Sequence, residues 1–216
     1  LVELGVTDTA SLSRVVPGFV VANTYFGSPV YYLRGVGFYD TALAAKPAVS
    51  LYADEAPIPF AIMGLGTTLD LERVEVLKGP QGTFFGTNAT GGAINFIAAK
   101  PTADFAWGTD VSYGRFNDVQ AGGFVSGPLS ETLLTRFAVS THHADDWQRG
   151  YNSSGTHGST DLASARWKLD WKPTQTSLSV GLTLSGTRDR SEVQAPQLIG
   201  KVPMSLVSPD FTAYPL

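Results

Sequence analysis

Cysteine is absent from the 216-residue sequence, which excludes disulfides, thiolate metal sites and a cysteine nucleophile. Charge is scarce as well: charged residues make up 16%, where about 25% is usual for a soluble globular chain. The net charge of −4 leaves no basic excess to neutralise a phosphate backbone, so nucleic acid is not an expected partner. Long apolar runs are missing too. None approaches the ~18 consecutive residues that a spanning helix needs, and the longest are interrupted, as in VVPGFVVA (15–22). That excludes a membrane helix but not membrane strands, whose alternation hides them from hydropathy averages. The chain opens on Leu1 with no basic segment before an apolar one, which reads as a mature, trimmed or fragmentary chain.

What the sequence does hold is 43% hydrophobic residues, enough for a core, with 23 glycines and 11% aromatics, a profile of β structure rich in turns. Residues 1 to about 101 are irregular. TDTASLSRVVPGFVV predicts an N-cap at Thr7 or Asp8, a short helix and a Pro-Gly stop. VYYLRGV (30–36), AVSLYAD (48–54), ERVEVLKG (72–79) and GAINFIA (92–98) are bounded by Gly, Pro or Asp and read as short strands of a compact α+β unit.

From Phe105 the pattern turns regular. Ala163, Ala165, Trp167, Leu169 and Trp171 share one face of a strand, while Ser164, Arg166, Lys168, Asp170 and Lys172 share the other. About five such strands are predicted, joined at Asn117-Asp118, Pro128-Leu129-Ser130, a polar loop from about 145 to 160, and Lys172-Pro173-Thr174. Two solvents suit the apolar face: a second sheet in a soluble sandwich, or lipid around a membrane barrel whose strands run ~9–11 residues. In a barrel, Arg136, Arg166 and Lys168 must face the lumen, because a cation on the lipid side costs ~2–4 kcal/mol at the midplane. Trp171, beside the short turn, is the better candidate for an interfacial aromatic girdle.

Between two predicted strands, VEVLKGPQGTFFGTNATGGAIN (74–95) has the look of a phosphate cradle. It lacks the lysine that must follow the glycines of a nucleotide-binding P-loop, and the segment after Gly92 is a strand rather than a helix able to meet an anion. Gly35-Val36-Gly37 and Gly64-Leu65-Gly66 begin a dinucleotide fingerprint and then depart from it. No Ser nucleophile elbow or zinc-protease motif occurs. His142, His143, Asp145, Asp146 and His157 have ligand chemistry, but adjacent His142 and His143 point to opposite faces of a strand, so a solvated strand end is expected. No catalytic group, metal or cofactor is predicted, and the protein is not expected to be an enzyme.

The order of these segments carries a resemblance. LRGVG (33–37), VSLYADEAPI (49–58) and LDLERVEVLKGPQGTFFGTNATGGAINFIAAKP (69–101) resemble the plug domain of TonB-dependent outer-membrane receptors, and the strands after Phe105 look like the start of their barrel. The resemblance implies an α+β plug over residues 1–101, followed over 102–216 by the first antiparallel strands of a transmembrane β-barrel, incomplete in this chain. Such receptors close a large barrel with an internal plug. They import scarce bulky ligands such as ferric siderophores across the outer membrane of Gram-negative bacteria, with TonB as the partner that pulls on the plug and outer-membrane lipid around the wall. TonB contacts are expected upstream of this chain, and five strands alone are not expected to transport anything. Two departures stand out: Glu55 where Gly is usual, and Thr87 where Arg is common.

By the same resemblance, ligand contacts are expected at the plug apices, Tyr25, Phe26, Gly27, Phe38, Tyr39, Asp40, Phe60 and Met63. Arg34, Arg73 and Lys78 are expected to pair with barrel carboxylates and hold the plug shut, with Glu75 pairing inside the plug. Gly35 belongs to the R-G pair. Gly79, Gly82, Gly86, Gly91 and Gly92 permit tight folding of the loop, and Asn88 suits a turn. A soluble β-rich glycan-binding module is the alternative.

Overall fold

The computed structural model describes residues 9–24, 29–39, 47–80, 89–149, 155–174 and 177–192. The expected cap at Thr7 or Asp8, and Tyr25, Phe26, Gly27, Asp40, Gly82, Gly86 and Asn88, lie outside them.

The N-terminal unit opens on a 3-10 turn, Ser11–Arg14, where the sequence suggests a short helix. The Pro17-Gly18 pair stops it, and the chain enters β1 (Phe19–Asn23), a strand not anticipated from the sequence, which pairs antiparallel with β2 (Pro29–Leu33). Beside this hairpin stands a four-stranded mixed sheet in the order β4-β3-β6-β5. Its strands are β3 (Val49–Ala53), β4 (Ala56–Ile58), β5 (Leu71–Lys78) and β6 (Gly92–Ala98). Every residue of β6 is buried, because it is flanked by a parallel β3 and an antiparallel β5; a central strand covered on both faces is apolar almost throughout. Leu12, Phe19, Tyr31, Leu33, Val49, Leu51, Ile94 and Phe96 form the core. The Phe19 and Tyr31 rings stack at 6.0 Å between centroids.

The strands that flank the glycine segment pair with each other. Lys78 pairs with Gly92, the Gly79 N–H donates to Gly91 O at 3.2 Å, and β6 follows at once. Gly92 is required where it stands: its φ is 143°, and a Cβ there would lie 2.3 Å from Leu77 O.

The second unit is a five-stranded antiparallel sheet, β13-β12-β9-β8-β7. The strands are β7 (Ala106–Gly114), β8 (Asp118–Ser130), β9 (Leu133–Ala144), β12 (Thr160–Trp171) and β13 (Val180–Asp189). They run 9 to 13 residues, a length that crosses a bilayer when tilted. A small hairpin, β10 (Gln148–Arg149) with β11 (Thr156–His157), occupies the long connection between β9 and β12.

The register decides which solvent each face meets. Trp107, Val125, Phe137, Trp167 and Leu184 pair in turn across all five strands, and each is exposed. One residue along, Ser126, Arg136 and Lys168 form a polar row on the other face, where Ser126 is 1% and Arg136 7% exposed. Polar in and apolar out is the reverse of a soluble sandwich, whose apolar face is covered by a second sheet. It is the pattern of a membrane barrel wall, with β7 and β13 as the edges of the sheet among the described residues. No helix of the described residues is long and apolar enough to cross a membrane.

Candidate functional site

The functional geometry lies where the N-terminal unit meets the inward face of the wall. Three cations on two neighbouring wall strands reach across. Arg136 on β9 grips Asp70 with two hydrogen bonds, Nε to Oδ2 at 2.6 Å and Nη2 to Oδ1 at 2.5 Å, while its guanidinium lies 3.8 Å from the Phe124 ring centroid. Lys168 on β12 donates to Asp54 Oδ2 at 2.9 Å. Arg166, two residues away on the same face, donates to the Leu69 carbonyl.

These contacts suit their surroundings. The Arg136 and Asp70 side chains are 8% and 13% exposed, so each charge is largely out of water and depends on the other. A bidentate fork supplies geometry as well as attraction. Removing one partner from a buried pair of this kind costs about 3–5 kcal/mol, because the other charge stays behind unpaired. Asp54 serves both units, since its Oδ1 accepts the Ala98 N–H at 2.8 Å while Oδ2 holds Lys168. The joining segment is tied down at Thr102, whose N–H and hydroxyl both donate to Ser126 Oγ at 2.9 Å.

Beside the pair, a cavity of about 290 Å³ separates the loop over 64–71 from the wall, lined among others by Gly66, Asp70, Gln120, Phe124, His142 and Ser164. Gly66 seats this loop. Its φ is 77°, and a Cβ there would lie 2.2 Å from Thr187 Oγ1 and 2.7 Å from Ser164 Oγ.

Arg34 and Gly35 form the two-residue turn of a hairpin, with φ of 52° and 78°, closed by Leu33–Val36 hydrogen bonds in both directions. The Arg34 side chain is exposed, and its backbone N–H donates to Gly18 O at 2.7 Å. Arg73 is held within β5, donating to Glu75 Oε1 at 2.7 Å and Glu72 Oε1 at 2.6 Å. Lys78 donates to Pro17 O at 3.1 Å. Among the described residues, then, the ion pairs between the units set wall cations against carboxylates of the N-terminal unit, the opposite polarity to that expected for Arg34, Arg73 and Lys78.

Glu75 also accepts from Asn95 Nδ2 at 3.2 Å, and Asn95 Oδ1 accepts the Glu55 N–H, which satisfies a polar side chain inside the buried strand β6. The Arg73 hydrogen bond first, then that of Asn95, holds the Glu75 carboxyl below its ordinary value, and the Glu75 hydrogen bond raises Arg73. Of the expected apical residues, Phe38, Tyr39, Phe60 and Met63 are all exposed; Phe60 precedes a 3-10 turn at Ala61–Gly64 and Met63 lies within it.

The histidines are dispersed. His142 Nε2 lies 3.1 Å from Asp118 Oδ1, His143 pairs with Asp145, and His157 with Glu192. Among the described residues no group of three or more His, Asp or Glu is placed to hold a metal. Sequence reasoning placed Arg136, Arg166 and Lys168 on the inward face from the cost of charge in lipid. It missed Asp54, Asp70 and Phe124, whose partners lie far off in the chain.

Comparison with known proteins agrees with this arrangement. Residues 1–93 match the family model described as TonB-dependent Receptor Plug Domain. The pesticin receptor of Yersinia pestis is 31% identical over 77% of this chain, which spans 24% of that receptor's length. Among solved structures, the ferric yersiniabactin uptake receptor FyuA from Yersinia pestis superposes with a TM-score of 0.73 at 27% identity, covering 87% of this chain and 30% of the other. The pyoverdine receptor FpvA of Pseudomonas aeruginosa shares the fold, with a TM-score of 0.68 at 22% identity over 90% of this chain and 27% of its own.

Proposed function

Because the chain belongs to the TonB-dependent outer-membrane receptors, with a plug followed by strands of an incomplete barrel, we propose that it supplies the gate and first wall strands of an energy-coupled importer. The plug is taken as residues 1–101 and the barrel segment as 102–216. The ligand class is scarce and bulky, of the ferric siderophore type, captured at the outer membrane of a Gram-negative bacterium. TonB is the partner that pulls the plug, and no bond is made or broken in the ligand.

The observation that carries this reading is the reversed polarity of the wall. Trp107, Phe137 and Trp167 point to the outer solvent, while Arg136, Arg166 and Lys168 point inward onto the plug. Such a wall is stable in lipid only as part of a closed barrel, which leaves no unpaired edge. The lumen then needs a gate, and the N-terminal unit fills that place. The similarity to the ferric yersiniabactin uptake receptor and to the ferripyoverdine receptor supports the ligand class.

In this role Phe38, Tyr39, Phe60 and Met63 offer apolar and aromatic contacts to a ligand arriving from outside, joined by Tyr25, Phe26, Gly27 and Asp40. Arg34, Gly35, Arg73, Glu75 and Lys78, with the glycines 79, 82, 86, 91 and 92 and Asn88, act within the gate by keeping the plug compact.

The test is uptake by cells carrying or lacking the full-length gene under iron limitation, with ferric yersiniabactin and ferric pyoverdine as radio-iron probes. Uptake of one probe that requires both the gene and TonB is the expected result. Equal uptake of every ferric siderophore tried, with and without the gene, would overturn the ligand class.

A further inference from the structure

Both carboxylates that the plug offers to the wall sit on left-handed backbone. Asp54 has φ of 47° and Asp70 of 48°, a region that side chains other than glycine rarely occupy. Aspartate tolerates it better than most residues, but glycine is the ordinary choice at such a turn. A residue kept there despite the backbone cost points to a task for its side chain. The task is visible at both positions, since Asp70 binds Arg136 and Asp54 binds Lys168.

We propose that Asp70 and Asp54 form a two-point latch that holds the plug loop over 64–71 and the turn at 54–55 against strands β9 and β12, with Asp70–Arg136 as the principal point. This rests on the reading of the N-terminal unit as a gate. Arg136 is positioned from three sides: the Phe124 ring lies against its guanidinium, Ser126 and Lys168 flank it in register, and Asp70 closes the fourth side. Loss of Asp70 therefore leaves a cation between an aromatic ring and the plug with no counter-charge on it. Arg166 adds a grip on the Leu69 carbonyl, next to Asp70, which fixes the same loop by its backbone.

Separation of the pair opens the seam at the cavity lined by Gly66, Phe124 and Ser164. The latch works by geometry rather than by summed attraction. A short displacement of the loop breaks both hydrogen bonds of the fork at once, and each left-handed turn is then free to relax. Asp70 and Arg136 are thus positioning residues of the closed state and need not touch ligand.

The test uses the full-length receptor in the outer membrane, with vancomycin as a bulky probe that an intact outer membrane excludes and with no siderophore or TonB involved. Asp70→Asn retains tolerance of the left-handed turn and removes only the charge, and Arg136→Gln removes the other partner. Each single variant is expected to raise vancomycin sensitivity several-fold at equal receptor levels in the membrane. The Asp70→Asn/Arg136→Gln double variant, whose two amides can bond each other, should leak less than the product of the singles. Lys168→Gln should leak less than either.

Wild-type exclusion in both single variants, or a double variant whose leak equals that product, overturns the latch. Where a single variant fails to reach the membrane, Lys168→Gln carries the comparison: it should leak more than wild type, and wild-type exclusion by it overturns the latch. The readout is independent of uptake: tight exclusion with lost uptake would count against the latch alone, and leak without siderophore specificity against the ligand class alone.

Discussion

Trp167 and Lys168 are bonded neighbours on β12 that serve opposite solvents: Trp167 is 41% exposed on the outer face, and Lys168 reaches inward to Asp54 at 2.9 Å. One strand thus provides a lipid-facing surface and a plug-facing one. The period of two lets it do so without any long apolar run.

A charge placed on the outer face should be costly in lipid. Val139 lies on that face between Ala138 and Ser140, which face in. Val139→Arg is expected to destabilise the full-length receptor in bilayers by about 2–4 kcal/mol, and Val139→Leu to be near neutral. Reversible urea unfolding in lipid vesicles measures the difference.

At Gly66, space and backbone conformation act together. Gly66→Ala places a methyl 2.2 Å from Thr187 Oγ1 at a φ of 77°, so the loop over 64–71 must move off the wall. A loss of about 1–3 kcal/mol is expected from the strained φ and the clash. Combining it with Thr187→Ala should recover part of the loss, because the backbone share and the Ser164 contact remain. Thermal unfolding of the three variants separates those shares.

Acid should selectively loosen the β5–β6 face of the plug. The folded Glu75 carboxyl is held below its usual 4.5, first by Arg73 and then by Asn95. A group with a depressed folded value stabilises fully above the unfolded value and loses that contribution as pH falls through the folded one. Wild type should therefore exceed Glu75→Gln in melting temperature at pH 7, and the gap should close as pH falls below about 4.5. A gap that stays constant to pH 2 would contradict the assignment.

The plug core offers a plain stability test. Leu51 is 1% exposed beside Ile94, its partner across β3 and β6. Leu51→Ala should cost about 2–5 kcal/mol and lower the plug's melting temperature, measured by limited proteolysis on heating.

If Tyr39 and Phe60 contact ligand, Tyr39→Ala and Phe60→Ala should each weaken binding of the responsive ferric siderophore about two- to tenfold, since an aromatic contact is worth about 0.5–1.5 kcal/mol. Both side chains are exposed, so plug stability should change little. Equilibrium binding by fluorescence quenching, with proteolysis as the control, distinguishes contact from packing.

Local pattern reveals much of this fold. Alternation exposed the five wall strands and the inward placing of Arg136, Arg166 and Lys168, and the turn residues bounded β2, β3, β5 and β6. The 3-10 turn at Ser11–Arg14 was harder, because four residues cannot show a helical period. Likewise, β1 is a five-residue strand directly behind Pro17-Gly18 and lacks a bounded alternation of its own. The plug–wall pairs were invisible for a different reason: Asp70 and Arg136 are 66 residues apart and Asp54 and Lys168 are 114 apart, so no window of sequence contains both partners. Arg73 illustrates the converse. Glu72 is next to it and Glu75 two residues along on β5, and proximity along the strand supplied its partners before any distant carboxylate.

None of the 216 residues is a cysteine, so a cysteine introduced into β9 is unique within this segment, and any cysteine elsewhere in the receptor is replaced by serine first. Single cysteines at positions 135 to 141 of β9, introduced in turn into the full-length receptor in lipid vesicles and spin-labelled, report exposure to lipid-soluble oxygen against a water-soluble nickel reagent. A period of two is expected, with labels at 137 and 139 open to lipid and those at 136, 138 and 140 shielded from it. Uniform accessibility along the strand, or lipid contact at 136 and 138, would contradict it.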